Sequence, residues 1–80
     1  MNKELETYFE AQFDMTSSQG WKDLTEKVKE MVQKDSQILT IKDQEELFKR
    51  QGRLDIMLWL LNWRNACEIT YKDLQDEQDL

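Results

Sequence analysis

The chain has no histidine, no proline, a single cysteine and two glycines in 80 residues. Each shortage excludes something. Without histidine, the usual zinc ligand and the usual general base are missing. Cys67 alone cannot form an internal disulfide, and a lone cysteine in a small unstapled chain fits a reducing compartment. Glycine only at Gly20 and Gly52, with no proline, is too little turn chemistry for an all-β sandwich or barrel. Long hydrophobic runs are also missing. The most apolar stretch, Leu54 to Trp63, is interrupted by Asp55 and Asn62 and flanked by Arg53 and Arg64. A bilayer crossing demands about 20 apolar residues, so no membrane span is expected. No apolar run follows Met1-Asn2-Lys3-Glu4-Leu5-Glu6, so no signal peptide is expected either.

What is present is acid. Seventeen Asp and Glu against eleven Lys and Arg give a net charge of −6. Acids lead eight to five in residues 1–40 and nine to six in residues 41–80. Neither half is basic, which disfavours direct nucleic-acid contact and anionic membranes. The length allows one small domain over residues 1–80. A core of that size supplies only ~3–5 kcal/mol, so such chains often need a partner.

The pattern predicts an all-α fold: two short N-terminal helices packed on one long C-terminal helix, as a three-helix bundle or helical hairpin. Leu5, Tyr8, Phe9 and Phe13 recur at helical spacing, predicting a first helix over 2–13 that ends near Asp14. A second follows Met15-Thr16-Ser17-Ser18, with Thr16 or either serine as cap and Trp21, Leu24, Val28, Met31 and Val32 as its apolar face. Residues 35–40 read as a loop or short extended piece, pinned to the core by Ile38, Leu39 and Ile41. Thr40 and Asp43 have the spacing of a capping box. The third helix is expected from Lys42 to Leu74, with Glu45–Lys49, Glu46–Arg50 and Glu68–Lys72 pairs along it. Residues 75–80 form an acidic tail expected to fray.

The third helix is apolar on two sides. One stripe is Leu47, Leu54, Leu58 and Leu61; the other is Phe48, Ile56, Trp59, Trp63, Cys67 and Leu74. A helix that is hydrophobic nearly all round must be covered nearly all round. Either the two short helices sandwich it within one compact monomer, or one stripe is an interface. Tryptophan is enriched at interface hot spots, so Ile56, Trp59, Leu60 and Trp63 are the candidate contacts. Arg50 and Arg53 either present guanidinium groups to a partner's carboxylates or pair internally with Glu46 or Asp55. Gly52 allows a close helix crossing or marks a bend.

No catalytic, cofactor or metal site is expected. Cys67 has no histidine to activate it and reads as a small buried hydrophobe. The carboxylates spread through charge-paired helix surfaces. No calcium loop, glycine-rich phosphate loop or Walker lysine occurs.

Two segments resemble those of short helical virion-associated or assembly proteins of short-tailed bacteriophages. One is Phe13-Asp14 leading through a polar stretch to Gly20-Trp21-Lys22-Asp23-Leu24. The other is Gln51-Gly52-Arg53-Leu54-Asp55-Ile56 followed by Met57-Leu58-Trp59-Leu60-Leu61. The resemblance covers roughly residues 13–62; the second arginine frequent in that group is Leu54 here. It implies a small non-enzymatic phage structural or assembly protein, found in the host cytoplasm during assembly and in the virion. Its partners would be itself or a head, portal or tail protein. The alternative is an acidic regulator that inhibits a nucleic-acid enzyme by occupying its basic groove.

Overall fold

The computed structural model describes residues 1–78, and these are all-α, with no strand among them. The elements are α1 (Lys3–Ser17), α2 (Gln19–Asp35), a 3₁₀ turn (Ile38–Thr40), α3 (Gln44–Leu61) and α4 (Trp63–Gln78).

Most boundaries have a local cause. The Asn2 side chain accepts the Leu5 N–H at 2.8 Å and caps α1, with Glu4 and Glu6 beside the positive end of its dipole. Ser18 serves two helices. It is extended, and its N–H donates to Met15 O at 3.1 Å to close α1. Its Oγ accepts the Trp21 N–H at 3.2 Å and opens α2. The helix therefore runs past Asp14 to Ser17. Thr16, a candidate cap by sequence, lies inside α1 and donates to Gln12 O at 2.8 Å. At the start of α3 the Asp43 carboxylate accepts the Glu46 N–H at 2.8 Å, while the Glu46 carboxylate accepts the Lys42 N–H at 3.1 Å. Asp43 therefore caps α3, three residues beyond Thr40, and Glu46 reaches back to the residue before the cap.

The helix expected to run unbroken from Lys42 to Leu74 is two helices, α3 and α4, with Asn62 between them. The Asn62 carbonyl accepts the Ala66 N–H at 2.9 Å as the first bond of α4, and the Asn62 side-chain oxygen accepts from Asn65 Nδ2 at 3.2 Å. Gly52 lies within α3 and marks no break, and no glycine has positive φ. Helix α4 continues through residues 75–78, where fraying is expected; Asp79 and Leu80 lie outside the described residues.

The chain divides into two compact units, Met1–Lys22 with Asn62–Leu80, and Asp23–Leu61. In the first, α1 and α4 run in opposite senses, for Gln12 meets Trp63 and Phe9 meets Tyr71. Phe9, Thr16 and Cys67 are buried. The Phe9, Phe13 and Tyr71 rings pack at centroid distances of 5.5 to 6.3 Å. Arg64 binds the end of α1: Nη1 donates to Ser17 Oγ at 2.8 Å, Thr16 Oγ1 at 2.9 Å and Phe13 O at 3.3 Å. Helix α1 has no basic residue in its own last turn, so α4 supplies the cation that its negative end favours.

In the second unit, Val28 and Met57 are buried, with Ile41, Leu47, Leu54 and Leu61 half-buried. Ile38 and Leu39, expected to pin the connection to the core, are exposed instead, and Leu39 is 101% exposed. Arginine does the pinning. Arg50 Nη1 donates to Thr40 Oγ1 at 2.7 Å and Gln37 O at 3.2 Å, and its Nη2 donates to Glu46 Oε1 at 2.7 Å. Arg53 forks onto Asp35, the last residue of α2, through Nε at 2.8 Å and Nη2 at 3.2 Å.

Candidate protein-docking face

Phe48, Gly52, Ile56 and Trp59 succeed one another at intervals of four, four and three, which places them on one face of α3. Leu47, Leu54, Met57 and Leu61 fall on the opposite side, and these are the half-buried or buried ones. The first face is open: Phe48 is 59% exposed, Ile56 67% and Trp59 58%. On α2, Met31 is 53% exposed and, with Gly52, Arg53, Ile56 and Met57, lines a shallow groove of about 350 Å³. Gly52 has no packing reason inside the chain. A Cβ built there meets nothing within 4 Å, yet glycine in a helix costs ~1 kcal/mol against alanine.

Both arginines of this unit have internal partners, Arg53 through Nε and Nη2 alone. Arg50 pairs with Glu46, one of the two internal partners expected, and its side chain is only 12% exposed. Arg53 pairs with Asp35 in place of Asp55, and half of its side chain remains exposed. Hydrogen bonds from Arg53 hold the Asp35 carboxyl below its ordinary range. Glu46 is likewise held down, first by the Lys42 N–H and then by Arg50. Arg53 is correspondingly held further into its charged form by Asp35.

The residues chosen from sequence fall in both units. Ile56 and Trp59 lie on the open face, and Leu60 is half-buried. Trp63 belongs to the α1–α4 unit, where it is half-buried and its Nε1–H donates to Gln12 Oε1 at 2.9 Å. By sequence, Phe48 belongs to the second stripe of the third helix but is not among the candidate contacts, and Met31 lies on the apolar face of the second helix. The signal for Phe48 was present, since it lies eight residues before Ile56 on the same arc. Nothing in the α2 pattern separates Met31 from the buried Val28.

Chemistry is sparse. Cys67 is buried beside a cavity of about 140 Å³ lined by Tyr8, Phe9, Trp63, Ala66 and Thr70, and burial pushes its thiol pKa up. That disfavours the nucleophilic thiolate. Among the described residues no group of three or more His, Cys, Asp or Glu is placed to hold a metal ion. No helix among them is long and apolar enough to cross a membrane. Comparison with family models, with curated proteins and with solved structures finds no match to this chain.

Proposed function

We propose that this chain is a non-enzymatic association module that acts as a structural or assembly protein of a tailed phage, in the host cytoplasm during assembly and in the virion. It works through helix packing, against its own copies or against a head, portal or tail component. The arrangement proposed for it is two short N-terminal helices against a longer C-terminal helical segment. One observation carries the association reading: the apolar face of α3, with Phe48, Ile56 and Trp59 each more than half exposed. Exposed aromatic and aliphatic side chains gathered on one helix face are the usual mark of a protein contact. The phage setting rests on the resemblance of residues 13–62. The second reading, an acidic inhibitor of a nucleic-acid enzyme, calls for a continuous acidic face. Lys27–Glu30, Lys49–Glu45, Arg50–Glu46, Arg53–Asp35 and Arg64–Glu68 instead interleave the charges.

Trp59→Ala tests the association reading. Truncating a hot-spot tryptophan costs at least ~2 kcal/mol of binding. Sedimentation of the chain, alone and mixed with phage head, portal or tail proteins, should show weaker association for the variant, with circular dichroism unchanged. Equal association of variant and parent in every mixture would defeat the reading.

A further inference from the structure

We propose that the open face of α3 docks a second copy of this chain, the two α3 helices running parallel and crossing at Gly52. The proposal rests on the association reading and names its partner. Three observations select that occupant.

The first is Gly52. It sits in the middle of the apolar stripe, its φ is not positive, and, its chain neighbours and its own helix backbone aside, no atom of the described residues lies within 4 Å of a Cβ placed on it. Neither backbone conformation nor internal packing accounts for glycine there. A missing side chain at the centre of an exposed stripe, flanked by Phe48 and Ile56 one turn away on each side, lets another helix approach closely at that point.

The second is area. Met31, Phe48, Ile56 and Trp59 are each more than half exposed. Together they leave roughly 500 Å² of apolar surface uncovered per chain, on the scale of the patches that mark interaction sites. Two such faces bury about 1,000 Å², the size at which specific interfaces begin.

The third is charge. Asp35 takes the Nε and Nη2 side of the Arg53 guanidinium, and Nη1 has no acceptor among the described residues. Asp55 has no cation among them. By helical geometry Arg53 and Asp55 lie on opposite flanks of the stripe. In a two-fold pair of parallel helices opposite flanks meet, so Arg53 of each copy reaches Asp55 of the other. An antiparallel pair would instead set like flanks together. The same chain therefore carries both halves of the contact, as an isologous interface requires.

The test is sedimentation equilibrium of the full chain, with Gly52→Ala, Gly52→Leu and Asp55→Asn. The parent should dimerise between micromolar and millimolar concentration. Gly52→Ala should raise helicity, because the new methyl meets nothing in its own chain, and yet weaken the dimer by about tenfold or more. Gly52→Leu should abolish the dimer while circular dichroism stays helical, and Asp55→Asn should weaken it several-fold. A parent that stays monomeric to millimolar concentration overturns the second copy as occupant; binding to phage proteins, measured separately, then decides the association reading. A dimer that Gly52→Leu leaves intact overturns this face as the contact while the association reading stands.

Discussion

Arg64 is the residue on which the α1–α4 unit turns. Its guanidinium carbon lies 5.6 Å from the Phe13 ring centroid, its Nε donates to Glu68 at 2.9 Å, and its Nη1 reaches the last turn of α1. One side chain thus supplies a cation over a ring, a cap for a helix end and an ion pair along α4. Arg64→Ala should cost about 2 kcal/mol, the scale of hydrogen bonds from a charged donor. Urea denaturation followed by circular dichroism measures it, and a change within a few tenths would show that water replaces these bonds without loss. None of this could be read from sequence. Arg64 appeared there only as a flank of the apolar run, because its partners Phe13, Thr16 and Ser17 lie about fifty positions away. Arg53 is a similar case. Sequence offered Asp55, two residues along, but residues two apart on a helix point to different sides. The fold brought Asp35 instead.

At the scale of the element, helix identity was legible and helix ends were less so. The 3.6-residue recurrence of apolar positions predicted helix over most of α1 to α4, and the structure has it there. Ends depend on which polar side chain wins a competition for free backbone groups. Ser18 won over Thr16, and Asp43 with Glu46 won over Thr40. Asp43→Ala should lower stability by ~1 kcal/mol, the ordinary worth of an N-cap. Amide exchange checks it: protection should fall first at the start of α3 and leave α4 unchanged. The break at Asn62 escaped the pattern because asparagine is tolerated within a helix and favoured at its start, and spacing cannot tell the two uses apart. The connection between α2 and α3 misled for a different reason. Ile38 and Leu39 are apolar, and apolar residues are expected inside, but an exposed leucine is common enough that hydrophobicity alone does not place it.

At the scale of the whole molecule, the core is thin. Phe9, Val28, Met57 and Cys67 are the buried apolar side chains among the described residues, and none of these residues is wholly enclosed. Charge pairs therefore matter more than in a larger domain. Asp35 and Glu46 both titrate below their ordinary values because arginine and backbone N–H groups favour their charged forms. A carboxyl depressed in the folded state contributes stability above its unfolded pKa and loses it as pH falls through and below that value. The Asp23–Leu61 unit should accordingly weaken as pH drops below about 4, where free carboxylates protonate. Thermal unfolding at stepped pH should show the midpoint falling across that window, and less so in Arg53→Gln, which lacks one of the pairs. An unchanged midpoint would mean that these pairs add nothing to the fold. Sequence by itself determined the all-α class, the acidic surface and the excess of apolar side chains on α3, since these follow from composition and from a period that repeats within a few residues. Only the tertiary structure decided which of those side chains stay open, that Trp63 and Trp59 belong to different units, and that Arg50 and Arg53 are held at home. Those outcomes depend on contacts between residues far apart in the chain, and local periodicity carries no record of such meetings.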